Sequence, residues 1–136
     1  MISWFEKHNK FSWLVTFLIA IFIFYTSSLS FKKGTPGGIA ILPTAYHISA
    51  FFFLAFFLSI SLIKGKNKIL ILPAILLSVI YGITDELHQL FVQGRNSSLF
   101  DASLDTAGIL FASVFYLIIL EFRNKPKLSS PVKTLK

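Results

Sequence analysis

The sequence contains no cysteine, and charged residues make up only 14% of it. The absence of cysteine excludes disulfide bonds and thiolate metal sites, and it gives no information about the redox compartment. A soluble domain of this length needs many more charged residues to cover its surface. Together with 54% hydrophobic residues and 16 Phe, the scarcity of charge predicts a small integral membrane protein whose main partner is the lipid bilayer.

The 13 basic residues outnumber the six acidic ones and give the chain a net charge of +7. Such an excess is also found in proteins that bind nucleic acid. Here, however, the basic residues lie between apolar runs and in the C-terminal tail, where they fix the orientation of membrane proteins. We therefore expect no nucleic-acid partner.

Four apolar runs are long enough to cross a bilayer, whose core of about 30 Å takes roughly 20 residues of helix. They span residues 11–31, 43–63, 69–91 and 101–122. A helix satisfies its backbone hydrogen bonds internally, whereas an open sheet in lipid leaves them unpaired. The sequence thus predicts an all-α, four-helix membrane bundle in residues 1–123. The tail, residues 124–136, is rich in Pro, Ser and Lys and is predicted to be disordered, basic and cytoplasmic.

Lysine and arginine are distributed unevenly between the two sides of this bundle. Four spans place both termini on the same side of the membrane. With the termini inside, ten basic residues are cytoplasmic and three are outside, namely Lys32, Lys33 and Arg95. The excess of basic residues on the cytoplasmic side therefore favours cytoplasmic N- and C-termini.

A cleaved signal peptide is the alternative interpretation of the first run. Its basic start, its apolar core over residues 11–25 and the Ser-Leu-Ser at 28–30 fit that pattern. The run is long and keeps bulky aromatic residues up to its end, which favours a retained span. The orientation of the other three spans is the same in either case.

Six ionisable side chains lie in or beside the last three runs, close to the ends that face outward. They are His47, Asp85, Glu86, His88, Asp101 and Asp105. At about 1.5 Å of rise per residue, all of them lie within roughly 10 Å of the outer interface. A charge at mid-membrane costs about 2.5–3.5 kcal/mol. We therefore expect these groups to meet in one polar pocket that opens away from the cytoplasm, where acids and imidazoles can exchange protons.

Helical spacing indicates which of these side chains share a face. Asp85, His88 and Gln89 are three and four residues apart and line one stripe of the third span. Arg95 lies in the short loop that follows. Its guanidinium is expected to fold back over carboxylates, since a bidentate pair is the strongest contact available to it.

The fourth span carries a second stripe, formed by Asp101, Asp105 and Gly108. Asp101 is expected to be the N-cap of this span, whereas Asp105 lies one turn deeper and needs another explanation. Gly108 is expected to let a neighbouring helix approach closely.

The spacing of these polar residues resembles that of the VanZ-like family of membrane proteins. The family carries an Asp-Glu-x-x-Gln segment at the end of one span, an Arg in the following loop, and an Asp and a Gly around the start of the next span. An earlier span carries a histidine. Within roughly residues 43–112, the matching residues here are His47, Asp85, Glu86, Gln89, Phe91, Arg95, Ser98, Asp101 and Gly108.

Two positions depart from the family pattern. The family usually has Asn in place of Asp105 and often has Lys in place of Thr44. An extra acid and a missing cation make this site more negative and favour a bound cation. The residue spacing matches no established metal motif. An open site with two histidines and carboxylates can nevertheless hold a divalent cation, and the sequence leaves the identity of any metal open.

The resemblance implies a multi-pass protein of the bacterial cytoplasmic membrane with a role in the cell envelope. The namesake of the family is linked to lowered susceptibility to the glycopeptide teicoplanin. A glycopeptide and a lipid-linked cell-wall precursor are therefore the candidate ligands.

One hypothesis is an enzyme that acts at the outer face on a lipid-linked envelope substrate. Glu86 would be the general base, His47 and Asp105 would be acids or metal ligands, and Asp85 would be a further catalytic residue. The expected substrate-binding residues are Arg95, which would bind phosphate, together with Gln89, Asp101 and His88.

Two other functions remain open at this point. A binding or transport protein would hold a cationic or amphiphilic ligand in the acidic cavity. Because four spans are few for a transporter, it would require a homo-oligomer. A non-catalytic membrane subunit would use the polar residues only to fasten helices together, with His47 as an interhelical hydrogen-bonding residue and Arg95 as a structural clamp.

Overall fold

The computed structural model describes residues 2–29, 41–95 and 97–124. Over these ranges the chain is helical and contains no strand. The helices are α1 (Ile2–Lys7), α2 (Asn9–Ser27), α3 (Ile41–Ile63), α4 (Ile71–Gln89) and α5 (Leu99–Asn124), with a short 3-10 turn, Lys68–Leu70, leading into α4. The disordered tail was predicted for residues 124–136. Asn124 is instead the last residue of α5, and residues 125–136 lie outside the described ranges.

Helices α2 to α5 are each long and apolar enough to cross a membrane. This result confirms the predicted all-α bundle of four membrane-spanning helices. The second span, Pro43–Ile63, has the predicted limits, whereas the first, Asn9–Ser27, begins and ends earlier than its apolar run. The short helix α1 was not predicted, because its six residues are too few to form a long apolar run.

The start of α5 differs from the prediction because Ser98, not Asp101, caps it. The helix begins at Leu99, and the backbone N–H of Phe100 donates to Ser98 Oγ at 3.1 Å. The N–H of Ala102 donates to the carbonyl of Ser98 at 3.0 Å. The prediction of Asp101 as the N-cap is therefore wrong. Asp101 lies in the first turn, where a negative charge is favourable at the positive end of the helix dipole.

Helix α3 contacts each of the other three spans, and its most extensive packing is against α5. Gly108 explains how close these two helices come. A Cβ atom at Gly108 would lie only 2.3 Å from the backbone oxygen of Ile48, far inside van der Waals contact. The predicted close approach at Gly108 is confirmed, and it holds the beginnings of α3 and α5 side by side.

Two apolar clusters fill the bundle between its ends. The cluster below the polar residues contains Ile23, Phe51, Leu54, Ala55, Ile109 and Ala112. The second, nearer the α3–α4 turn, contains Ile60, Ile63, Ile71, Tyr116 and Leu120. Large side chains on the outer face of α2, among them Phe17 and Ile21, are exposed, as expected of a surface that faces lipid.

A short polar network fastens α1 to α5 at the end of the bundle that contains the α3–α4 turn. Arg123 Nη1 lies 2.8 Å from Glu6 Oε2. The hydroxyl of Tyr116 donates to Glu6 Oε1 at 2.7 Å. This network gives Glu6, a buried carboxylate on a helix that the sequence did not predict, a clear structural role.

Candidate functional site

The ends of α2 and α4 and the beginnings of α3 and α5 meet at the opposite end of the bundle, called the site end below. Besides Ser27 at the end of α2, five buried polar side chains lie there. They are His47 on α3, Asp85, Glu86 and Gln89 on α4, and Asp105 on α5. Because successive spans alternate in direction, groups near the start of one helix and the end of the next come to the same depth.

His47 and Asp105 form a direct pair between α3 and α5. Nδ1 of His47 lies 2.9 Å from Oδ1 of Asp105, a hydrogen-bonding distance, and both residues are buried, at 5% and 1% exposure. The contact between Gly108 and Ile48 lies one residue along α3 and one turn along α5 from this pair. The close helix approach therefore positions the imidazole against the carboxylate.

Glu86 faces the same region from α4. Its Oε2 accepts a hydrogen bond from the backbone N–H of Ser98 at 2.9 Å, which orients the carboxylate and ties it to the cap of α5. Its Oε1 is buried and has no hydrogen-bond partner among the described residues. An unpaired buried carboxylate oxygen is costly, so it points to a function or to a bound group.

His47, Glu86 and Asp105 converge as one group, called the acid–imidazole triad below. Each of the three offers one ligand atom, and these atoms all lie within 4.8 Å of one another. Oδ2 of Asp105, like Oε1 of Glu86, is buried without a hydrogen-bond partner among the described residues. Among the residues that the structure describes, this is the one such group able to hold a metal ion.

Gly82 makes room for the triad one turn before Glu86 on α4. A Cβ atom there would lie 3.2 Å from the ring of Phe51 and 3.7 Å from Cβ of Asp105. An alanine there would press on the Phe51 ring and would lie in ordinary van der Waals contact with Asp105. This contribution of Gly82 was missed by the sequence reasoning, although a buried glycine one turn from an acid on a long apolar helix was a usable signal.

Asp85 is not part of the triad and instead joins α4 to the end of α2. Its Oδ2 accepts hydrogen bonds from Ser27 Oγ at 2.8 Å and from Gln89 Nε2 at 2.9 Å. Asp85 and Gln89 therefore share a helix face, as predicted, and this face meets the end of α2. Ser27 was missed because a serine at the end of an apolar run is common and carries no distinguishing pattern.

His88 lies outside the triad. Its Nε2 is 3.0 Å from Ser28 Oγ, and its ring lies 4.6 Å from the ring of Phe24, centroid to centroid. Both contacts are with α2. The sequence suggested a site with two histidines. In the structure only His47 lies beside the carboxylates of the triad, and His88 does not.

Arg95 reaches the C-terminal end of α2 from the loop between α4 and α5. Its Nη2 donates to the carbonyl of Thr26 at 2.6 Å, and its Nε donates to the carbonyl of Leu29 at 3.2 Å. A cation there interacts favourably with the negative end of the helix dipole. For Arg95, a clamp on carboxylates and the binding of phosphate stay predictions. Substrate binding by the half-buried Asp101 stays a prediction as well.

An apolar groove of about 220 Å³ runs between α2 and α3 beside the triad. It is lined by Ile19, Phe22, Ile23, Tyr46, Ser49, Ala50 and Phe53. Tyr46 connects the groove to the site, because its ring lies edge-on to the His47 ring at 5.7 Å. The Tyr46 hydroxyl also hydrogen-bonds Thr26 Oγ1 on α2. The groove thus shares one lining residue, Tyr46, with the surroundings of the buried imidazole of His47.

These features define a class of protein: a helical membrane bundle with acids and an imidazole buried together at one end. The model of the family described as VanZ/LLP1 matches residues 8–120. The chain therefore belongs to the VanZ-like family. No curated protein and no solved structure matches the chain.

Proposed function

We propose that the protein is a membrane-embedded enzyme of the bacterial cell envelope, acting at the outer face of the cytoplasmic membrane on a lipid-linked substrate. One observation carries the proposal. His47, Glu86 and Asp105, from three different spans, meet in a buried group in which two carboxylate oxygens have no hydrogen-bond partner among the described residues. Intramembrane ionisable residues are functional by default, because burying them is costly.

The triad is suited to moving protons. Glu86 has one oxygen held by the Ser98 N–H and the other without a partner, so it can act as a general base. The imidazole of His47 can take up or release a proton while Asp105 holds its ring in one orientation. General acid–base groups of this kind contribute about 10²–10⁴-fold in rate.

The groove between α2 and α3 supports a lipid-linked substrate. It is lined almost entirely by apolar side chains, so a hydrocarbon chain can enter it from the bilayer. Tyr46, which lines the groove, also contacts the ring of His47, and this supports a position of the head group near the triad. The groove thus matches a substrate with an apolar chain and a polar head.

The distribution of basic residues supports an outward-facing site. Lys64, Lys66 and Lys68 lie in the turn between α3 and α4, and Arg123 lies near the end of α5, all at the end opposite the triad. Arg95 lies at the site end. The positive-inside rule then orients the triad away from the cytoplasm.

The direct test is turnover of lipid-linked cell-wall intermediates by the purified protein in lipid nanodiscs. We expect Glu86→Gln, which keeps the size of the side chain, to lower turnover at least about 100-fold. Glu121→Gln is the control, since it changes an exposed carboxylate paired with Lys68 at the opposite end. Equal turnover by Glu86→Gln and the wild type would rule out this function.

A role in glycopeptide susceptibility is tested separately in cells. Expression of the wild-type chain should change the teicoplanin susceptibility of a Gram-positive host, and Glu86→Gln at equal membrane abundance should not. If both variants change susceptibility equally, the effect comes from the helices and not from the triad, and a non-catalytic membrane subunit explains it better.

Three buried carboxylate oxygens without a hydrogen-bond partner among the described residues, Glu86 Oε1, Asp105 Oδ2 and Asp85 Oδ1, also favour a second function: binding or transport of a cationic or amphiphilic ligand. This alternative predicts saturable protection of the folded protein by the ligand without any product. It also predicts a homo-oligomer, since four spans are few for a transport pathway. The mass of the protein–detergent complex, measured by light scattering, distinguishes a monomer from an assembly.

A further inference from the structure

We infer that the acid–imidazole triad binds one divalent transition-metal ion, for which Zn²⁺ is the best match. The inference concerns the same residues as the proposed function and rests on the same site: with an ion bound they are its ligands, whereas proton transfer by Glu86 and His47 belongs to the metal-free triad. His47 supplies one ring nitrogen, and Glu86 and Asp105 supply one carboxylate oxygen each.

The distances within the triad suit a metal ion. The three ligand atoms already lie within 4.8 Å of one another. Two ligands at about 2.1 Å from a common ion in tetrahedral geometry are about 3.4 Å apart. The widest pair must therefore close by roughly 1.4 Å to bring all three atoms into coordination distance. Side-chain rotation alone can supply a movement of this size.

The hydrogen-bonding state of the carboxylates provides independent support. Oε1 of Glu86 and Oδ2 of Asp105 are buried and have no partner among the described residues. The sister oxygen of Glu86 is engaged by the Ser98 N–H, so this carboxylate is oriented through one oxygen and leaves the other available. Asp105 is held beside the ring of His47, and a bound ion would replace that hydrogen bond when both side chains become ligands.

Charge favours a cation at this place. Two carboxylates beside one imidazole bring negative charge into a low-dielectric region, and Arg95, a basic side chain at this end, donates to carbonyls of α2. A divalent ion neutralises both acids at once. The buried Asp85 lies on the same helix and adds to the negative potential.

The donor set narrows the choice of metal. The chain has no cysteine, which excludes the thiolate sites typical of structural zinc. One imidazole nitrogen with two carboxylate oxygens suits Zn²⁺ or Mn²⁺, whereas Mg²⁺ and Ca²⁺ prefer oxygen ligands only. Three protein ligands with a position left for water are typical of catalytic and not structural zinc.

The test is direct measurement of Zn²⁺ binding to the full chain in detergent after removal of metals with a chelator. We expect one ion per chain by elemental analysis and by titration calorimetry. Glu86→Gln and Asp105→Asn should each weaken Zn²⁺ binding by more than about 100-fold, because loss of an outer-shell partner already costs 10- to 100-fold.

Two matched variants separate the triad from other metal-binding side chains. Asp85→Asn changes a buried acid next to Glu86 that is outside the triad, and His88→Gln removes the histidine bonded to Ser28. Both should keep one Zn²⁺ per chain with less than about a tenfold change in affinity, below the loss expected for a ligand. Loss of the ion in His88→Gln, or retention in Glu86→Gln and Asp105→Asn, would overturn the inference.

If a variant fails to fold, a measurement on the wild-type protein alone can still test the metal site. X-ray absorption at the zinc edge should show one imidazole and oxygen ligands at about 2.0–2.2 Å. Two or more imidazoles, or an absence of bound zinc, would refute the site. Zinc binding without turnover would refute only the proposed enzyme. Turnover that depends on Glu86 without bound metal would refute only the metal site.

Discussion

Asp85 and Glu86 are neighbours in the sequence but bind opposite parts of the bundle. Asp85 accepts from Ser27 at the end of α2, whereas Glu86 accepts from the backbone of Ser98 before α5. Consecutive residues on a helix point about 100° apart. Two adjacent acids on α4 can therefore serve two different helix contacts, one structural and one in the triad.

The Asp85–Ser27 contact should contribute to stability more than to function. We expect Ser27→Ala to lower the free energy of unfolding by about 1 kcal/mol, because it removes a buried hydrogen bond to a charged group. Activity of the folded fraction should stay within twofold of the wild type. Thermal unfolding in detergent, followed by circular dichroism, measures the change.

Ser103→Ala is the matched control for Ser27→Ala. Ser103 is exposed on α5 and donates to the carbonyl of Phe100, so its loss should be neutral within error. A stability of Ser27→Ala equal to that of Ser103→Ala would show that the Asp85 contact does not hold α2 to α4.

The close approach at Gly108 should be intolerant of any side chain. Gly108→Ala places a Cβ atom 2.3 Å from the backbone oxygen of Ile48, so α3 and α5 must separate. We expect a loss of about 2–3 kcal/mol in unfolding free energy, at the upper end of the usual cost of overpacking. Because His47 and Asp105 face each other across the same helix pair, activity should fall as well.

Gly82→Ala is the comparison for Gly108→Ala, since its nearest neighbour is a side-chain atom of Phe51 at 3.2 Å. A ring can shift where a backbone carbonyl cannot, so the loss should be smaller. An equal loss at both glycines would mean that backbone contact between α3 and α5 is not the limiting feature.

His47 and Asp105 should be energetically coupled. In a double-mutant cycle of His47→Gln, Asp105→Asn and the combined variant, we expect a coupling energy of about 0.5–3 kcal/mol in unfolding free energy, the range for residues in direct contact. The cycle is measured by thermal unfolding without added metal. Additive effects would show that the 2.9 Å contact does not contribute to the stability of the bundle.

The groove between α2 and α3 should set the preference for long-chain substrates. Ser49 is exposed and lines the groove, so Ser49→Trp should fill it. We expect a rise in KM of tenfold or more for a long-chain substrate and little change for a short-chain analogue. Leu110→Trp, on the exposed face of α5, is the control. Equal losses with both substrates would contradict a chain-binding role.

The orientation of the bundle can be measured cleanly because the chain has no cysteine of its own. Gln93→Cys is at the site end and Lys66→Cys is in the opposite turn, and both positions are exposed. In intact cells, a membrane-impermeant maleimide should label Gln93→Cys. It should label Lys66→Cys only after the membrane is opened. The reverse pattern would place the triad on the cytoplasmic side.

The number of spans and the clustering of polar groups at one end could be predicted from the sequence. Run length sets where a helix can cross a bilayer, and alternation of direction then sets the depth of every residue. His47, Glu86 and Asp105 reach one level for this reason alone. The helix periodicity also predicted that Asp85 and Gln89 share a face, as their 2.9 Å contact shows.

The tertiary structure decided which polar side chain contacts which neighbour. Periodicity shows which residues share a helix face, but the rotation of each helix toward its neighbours depends on packing, here on the contact of Gly108 with Ile48. The rotation of α5 turns Asp105 toward His47, and the rotation of α4 leaves His88 against α2. The start of α5 was decided in the same way, since Ser98, which caps the helix, also donates its backbone N–H to Glu86 on α4.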